Sequence, residues 1–282
     1  MNSPAPATAA SGFANSQLLI ETEELAKTLG DAGVRIVDVR TEKEYESGHI
    51  SGALHVSVHA LDDLKANQEG LPIPKAKAEE LFGGLGIGEG VKVVAYDGPK
   101  NPFGAARIFF VLEFFGHDKM QILNGGFAKW AQEGRLVSTE APTPVKATFV
   151  ARPRRELLAT AEEVRARLKD PKVCLLDARS AEEYTGEDVR ASRGGRIPGA
   201  VNVDYASTFR KDDHTLKSAE ELRRMFEAAG AKPDRETITY CHSGARSAHD
   251  YFVLRLLGYE RLKNYDGSWA EWGNSETLPI EE

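Results

Sequence analysis

Ile36-Val-Asp-Val-Arg-Thr-Glu-Lys-Glu-Tyr45 and Leu175-Leu-Asp-Ala-Arg-Ser-Ala-Glu-Glu-Tyr184 share one pattern. Each carries an apolar β-type run into Asp-x-Arg, then an acidic stretch ending in tyrosine. Further pairs surround them in the same order. Leu18-Leu-Ile-Glu-Thr-Glu-Glu-Leu25 precedes the first copy as Leu157-Leu-Ala-Thr-Ala-Glu-Glu-Val164 precedes the second. Ile50-Ser-Gly-Ala53 matches Ile197-Pro-Gly-Ala200, and Phe109-Phe-Val-Leu-Glu-Phe-Phe-Gly116 matches Tyr251-Phe-Val-Leu-Arg-Leu-Leu-Gly258. Asn124-Gly-Gly-Phe-Ala-Lys-Trp130 echoes Tyr265-Asp-Gly-Ser-Trp-Ala-Glu-Trp272. A repeat this long is a duplicated domain, not a solenoid unit.

The Pro/Thr-rich segment 141–155 reads as a linker between domains at 17–140 and 156–282. Within each, short β-branched runs alternate with helical patterns. That alternation predicts an α/β fold: two tandem domains, each a mainly parallel sheet with helices on both faces. In the second unit, strands are expected at 157–159, 173–177, 200–203, 237–240 and 262–265. Helices follow Thr160, precede Gly230 and run to Leu257. Thr160-Ala-Glu-Glu163 reads as a capping box, and Gly258 as a left-handed helix cap.

The 282 residues are 41% hydrophobic, enough to bury two ordinary cores. A net charge of −7 argues against a general nucleic-acid or anionic-membrane surface. An anion site must then be a local concentration of positive charge. No apolar run reaches the roughly 20 residues of a membrane helix. Residues 1–16, rich in Ala, Ser, Pro and Asn, read as a disordered lead, not a signal peptide. Two cysteines cannot build a disulfide framework, so a reducing, cytoplasmic compartment is expected. Cys174, inside Val173-Cys-Leu-Leu176, reads as a core residue.

Cys241 is different. In Tyr240-Cys-His-Ser-Gly-Ala-Arg-Ser247 it stands where a β-type run ends and a helical pattern, 245–257, begins. Backbone N–H groups and a helix N-terminus favour thiolate there, and the thiolate is the nucleophile. Parallel sheets bind ligands at the carboxyl ends of their strands. Gly244 lets the amides turn inward as a nest. His242, Ser243 and Arg246 add donors or charge, and Arg246 suits a bidentate oxyanion contact.

The duplicate supplies a comparison. Asp97 occupies the position of Cys241, in a loop two residues longer. Aspartate there acts either as a cap or turn residue or as a hidden catalytic acid, the former fitting its turn preference. One domain is therefore expected to be catalytic and the other supporting. Arg179 should lie on the same sheet edge as Cys241, contacting an anionic substrate or else pairing with Asp177. Arg190, Arg193 and Arg196 lie in a stretch with no counterpart of this length in the first half. They supply a positive patch, with Arg196 a possible substrate contact, or are a solvated surface loop. His49 matches Arg196 and is read as structural. His242 either tunes the thiolate or points to solvent.

Taken together, Asp38-Val-Arg40 with Gly48-His-Ile-Ser-Gly-Ala53, Asp177-Ala-Arg179 with Ile197-Pro-Gly-Ala200, the Cys241 loop and the Trp272 block resemble the two-domain rhodanese sulfurtransferases. The resemblance runs from about Leu18 to Trp272. It implies that Cys241 takes the outer sulfur of thiosulfate, releases sulfite, and passes the sulfur from a persulfide to cyanide or a thiol. That is ping-pong covalent catalysis. The amides of Cys241, His242, Ser243, Gly244, Ala245 and Arg246 would hold the persulfide, without metal or cofactor. Cysteine phosphatases typically carry Cys-x5-Arg, whereas this loop is the tighter Cys-x4-Arg, suited to one sulfur atom. Ser243 and Gly244 resemble the 3-mercaptopyruvate members. Arg246 restores the charge that dianionic thiosulfate needs, and thiosulfate is the preferred donor. A non-enzymatic sulfur carrier is a further alternative. The internal duplication favours a monomer.

Overall fold

The computed structural model describes residues 12–68 and 70–282. The first half runs β1 (Leu19–Ile20), α1 (Thr22–Ala26), β2 (Val34–Asp38), α2 (Glu42–Ser47), β3 (His49–Ile50) and β4 (Leu54–His55). It continues through α3 (Leu64–Gln68), α4 (Lys75–Gly84), β5 (Lys92–Tyr96), α5 (Gly104–Phe114), β6 (Met120–Leu123), α6 (Gly126–Gln132) and β7 (Val137–Ser138). The second half comprises α7 (Ala161–Ala166), β8 (Val173–Asp177), α8 (Ala181–Thr185), β9 (Val201–Asn202) and α9 (Ala219–Ala228). It ends with β10 (Glu236–Tyr240), α10 (Ala245–Leu256), β11 (Leu262–Asn264) and α11 (Ser268–Trp272).

The first sheet is parallel, in the order β1-β6-β5-β2-β4. The second is parallel, in the order β11-β10-β8-β9. Leu158 bridges Asn264 in parallel, standing where β1 stands against β6. The two halves thus repeat one topology, as the sequence blocks require. β3 and β7 form a separate antiparallel pair.

Burial on both faces explains the near-continuous apolar strands. Ile36, Val94 and Tyr96 face Leu25 and Trp130 on one side of the first sheet. Val37, Val93 and Ala95 face the opposite way, into a core shared with the second half. α5 and α10 join the halves there. Every residue of α5 is buried, and all but Arg107 and Glu113 are apolar or glycine. Phe109 meets Phe252 at 4.9 Å, and Phe110 meets Tyr251 at 5.1 Å between ring centroids. Tyr251 donates to Glu113 at 2.8 Å, and Arg255 pairs with the same carboxylate.

Several expectations change in detail. The box expected at Thr160 forms only half: its side chain accepts the Glu163 N–H at 3.3 Å, while the Glu163 carboxylate turns to Lys263. Full boxes form instead at Thr41 with Glu44, at Ser180 with Glu183 and at Ser218 with Glu221. Gly258 is left-handed (φ 93°), as expected for a cap. Residues 1–11 of the expected lead lie outside the described residues, but 12–16 are packed on the second half. Phe13 is buried in the shared core, and Asn15 bonds the carbonyls of Leu256 and Arg255. The linker is likewise pinned: Ala147 donates to the Gly83 carbonyl, and Phe149 packs on Phe82.

Candidate active site

β10 ends at Tyr240, and α10 begins at Ala245 behind a left-handed Gly244 (φ 80°). The four residues between must turn sharply, and a second element holds them. Ser268, at the start of α11, accepts the N–H groups of Cys241 and Gly244, both at 3.1 Å. Its own hydroxyl donates to the Tyr265 carbonyl at 2.7 Å. Trp269 and Ala270 donate to the carbonyls of Cys241 and His242 at 3.0 and 2.8 Å. With its carbonyls turned back to α11, the loop points amides forward. Among the described residues, those of His242, Ser243, Ala245 and Arg246 have no protein acceptor, whereas the Cys241 and Gly244 amides, expected to join them, are taken by Ser268. The four free amides form a crown at a helix N-terminus, the setting that stabilises an anion.

A cavity of about 400 Å³ opens above this crown, between the halves. Cys241 lies at its floor, 1% exposed, so only a protruding atom of a donor can reach the sulfur. The second half contributes His242, Ser243, Ala245, Arg246, Arg190 and Tyr205. The half without the cysteine contributes Val58, His59, Asp62, Lys100, Asn101 and Phe103. Phe103 and Tyr205 meet edge-on at 5.7 Å and close one wall. The site is therefore complete only with both halves.

The Arg246 guanidinium sits beside the cysteine but is gripped by Glu183 at 2.5 and 2.8 Å. Burial disfavours its charge, but Glu183 and the negative charge of Cys241 more than compensate and raise its pKa. For Glu183, burial pushes upward, yet the bond to Arg246 wins and holds the carboxyl down to about 2. Glu183 was not singled out from the sequence; its counterpart Glu44 faces Lys100 across the equivalent loop at 3.4 Å. Burial, then the nearby Arg190 and Arg246, lower the pKa of His242, so its imidazole is neutral at pH 7. It lines the cavity instead of facing open solvent.

Arg179 does not line the cavity. Its guanidinium is locked onto Asp177 (2.6 Å at the shorter contact), donates to the Gly195 carbonyl at 2.8 Å and lies over Trp269. The half without the cysteine repeats this: Arg40 binds Asp38 and the Gly48 carbonyl and lies over Phe127. An arrangement present with and without the nucleophile is scaffold, so the pairing alternative replaces the substrate-contact reading. Arg179→Ala is expected to cost about 3–5 kcal/mol of stability by stranding Asp177. Urea unfolding checks this, and a loss below about 1 kcal/mol would contradict it.

Arg196 also departs from its expectation. It pairs with Glu281 at 2.6 Å, over the Tyr184 ring, and pins the C-terminal segment. Arg193 serves the same segment by donating to the carbonyls of Trp272 and Leu278. Of the three arginines, Arg190 is the one at the cavity. His49 is fully buried, with ring nitrogens 2.9 and 3.1 Å from the Tyr45 and Glu140 carbonyls, a structural position. Asp97 accepts the Ala105 N–H at 3.0 Å and caps α5, while burial lifts its pKa to about 7. Burial raises the Cys174 thiol to about 11, consistent with an inert core residue.

The rhodanese-like domain model matches twice, at residues 21–133 and 160–275. The chain belongs to the rhodanese family. It is 36% identical to the sulfur carrier protein TtuD of Thermus thermophilus, over 95% of this chain and 98% of that one. It is 34% identical to the thiosulfate sulfurtransferase of Azotobacter vinelandii, with the same coverage. Among solved structures, the anaerobic ergothioneine biosynthesis enzyme of Chlorobium limicola, in complex with trimethyl histidine, superposes with a TM-score of 0.83. It is 25% identical and matched over 94% of this chain and 70% of that one. Two rhodanese domains in tandem, with the cysteine in the second, make this a rhodanese-family sulfurtransferase. No helix among the described residues is long and apolar enough to cross a membrane.

Proposed function

We propose that this chain moves sulfane sulfur from thiosulfate to a thiophilic acceptor through a persulfide on Cys241. The observation that carries this reading is the cavity itself: a cysteine under a crown of free amides, with Arg190, Lys100 and His59 around it. The Cys241 thiolate attacks the outer sulfur of thiosulfate. The sulfur–sulfur bond of the donor breaks, and its electron pair leaves with sulfite. The terminal sulfur of the new persulfide carries the negative charge, within reach of the amides. Cyanide or a thiolate then attacks that sulfur, and the electron pair of the bond returns to Cys241 as thiolate. No proton has to move with cyanide as acceptor. Since Arg246 is turned to Glu183 instead of arching over the loop, the site offers phosphate no bidentate clamp. Both cysteines are free, which suits a reducing compartment.

Arg190 is half-exposed, so it supplies donor attraction with little structural burden. Arg190→Ala is expected to raise KM for thiosulfate roughly fivefold, as loss of about 1 kcal/mol of contact energy, with an unchanged melting temperature. An unchanged KM would remove Arg190 from the donor site. One observation favours a second donor, 3-mercaptopyruvate. Glu183 neutralises Arg246, and Ser243 lines the cavity, which together suit a monoanionic carboxylate with a hydrogen-bonding group. Comparing kcat/KM for thiosulfate and 3-mercaptopyruvate, with cyanide as common acceptor, tests the choice. The proposal expects the higher value for thiosulfate, and a preference for 3-mercaptopyruvate would reverse it.

A further inference from the structure

The duplication provides an internal control for what a nucleophilic site needs. Trp269 N–H meets the Cys241 carbonyl at 3.0 Å, and Phe127 N–H meets the Asp97 carbonyl at 2.9 Å. Ser268 therefore corresponds to Gly126, and Asp266 to Asn124. The match of Tyr251 with Phe109 sets His249 against Arg107. At the half without the cysteine these positions carry no ion pair. Asn124 donates to Glu21 and accepts from Leu216. His249 meets Thr208 at 2.8 Å, and burial lowers its pKa to about 3, leaving it neutral.

At the Cys241 side, the same positions hold a fully buried, bidentate Arg107–Asp266 pair, with both contacts at 2.8 Å. The arginine comes from α5 of the other half. It also donates to the Leu61 carbonyl at 2.8 and 3.1 Å, behind the cavity wall, and lies 3.5 Å from the Gly244 carbonyl. Asn264 donates to that carbonyl at 3.1 Å and to Asp266. Asp266 in turn packs against the turn of the loop: a methyl on Gly244 would come within 2.8 Å of its carboxylate oxygen. Burial pushes the Asp266 carboxyl up, and the guanidinium opposes that push. Asp62, at the cavity, lies 3.7 Å from the same guanidinium.

We propose that Arg107 is a positioning residue of the Cys241 site: the half without the nucleophile sets the catalytic loop through the buried Arg107–Asp266 pair and Gly244. A buried ion pair is a poor way to gain stability, since two charges are stripped of water. Its confinement to the side with the cysteine fits a role in geometry. Small displacements of a nucleophile relative to its anion-binding amides cost large factors in rate. The proposal gives the supporting half a part in the chemistry beyond forming a wall.

The inference rests on the persulfide reading, so its test carries two readouts. Arg107→Lys keeps the charge but loses the bidentate fork. Arg107→Met with Asp266→Asn removes both charges at nearly unchanged volume. For each, thiosulfate turnover, alkylation of Cys241 by iodoacetamide at pH 7 and melting temperature are measured. Both variants are expected to be folded, with kcat down about tenfold or more, KM within about threefold, and alkylation slowed in parallel. A folded variant of either kind with wild-type kcat and alkylation rate would overturn the proposal, as would a rise in KM alone. Loss of folding in both would assign the pair to stability and equally overturn it. If the wild-type chain takes no sulfur from thiosulfate, the donor reading fails alone, and the alkylation rates still decide the role of Arg107.

Discussion

Cys241→Ser is expected to lower thiosulfate:cyanide turnover by about 10⁴-fold or more, since removing a covalent nucleophile leaves only binding and positioning. Serine preserves the backbone turn and the two N–H bonds to Ser268, so the melting temperature should stay within a few degrees. Cys174→Ser should leave turnover intact, because that sulfur lies in the core under the second sheet. The pair of variants separates a chemical loss from a general effect of losing thiols. A Cys241→Ser protein with more than a tenth of wild-type turnover would place the chemistry elsewhere.

The second large effect belongs to Arg246. From the sequence, this arginine is a substrate contact whose loss should harm donor use more than folding. The structure adds a cost, because Glu183 is 4% exposed and depends on it. Arg246→Ala leaves that buried carboxylate with only the longer contact to half-exposed Arg190, at 3.4 Å, at an expected cost of about 3 kcal/mol. It should also lower kcat/KM for thiosulfate by about a hundredfold, as the positive charge beside the sulfur disappears. Arg246→Ala combined with Glu183→Gln should recover most of the stability and little of the activity. Recovery of both would make the pair structural only.

The same pair sets a pH dependence whose sign follows from Glu183. Its folded-state pKa is depressed to about 2, below the unfolded value of 4.5. The stability it contributes is therefore present above about pH 4.5 and is lost as pH falls toward 2. Urea midpoints between pH 6 and pH 3 should fall less steeply in Glu183→Gln than in the wild type. Parallel curves would remove Glu183 from acid sensitivity.

Much of this was legible in the chain. The repeat fixed two parallel-sheet domains because matching strands must pair in matching order, and Leu158 against Asn264 repeats β1 against β6. The strand-to-helix position of Cys241 also followed from local pattern. Contacts between distant segments did not. Ser268 sits 27 residues from Cys241, and Arg107 reaches Asp266 across 159 residues, so neither partnership leaves a local signature. Arg179 is the instructive departure. Its Asp-x-Arg block occurs in both halves, and a motif shared with the half without the nucleophile marks scaffold, not the reacting site. Arg190 and Arg196 differ by six residues, yet one faces the cavity and the other the C-terminal segment, a choice made by where Glu281 lies. Composition within the insertion carries no information on that choice.

The central claim is that one sulfur rests on one cysteine. Intact-protein and peptide mass spectrometry after brief incubation with thiosulfate, in the absence of acceptor, tests it directly. The account predicts one added sulfur per chain, mapped to Cys241 and discharged stoichiometrically by cyanide as thiocyanate. A chain that stays unmodified, or carries the sulfur on Cys174, would contradict it.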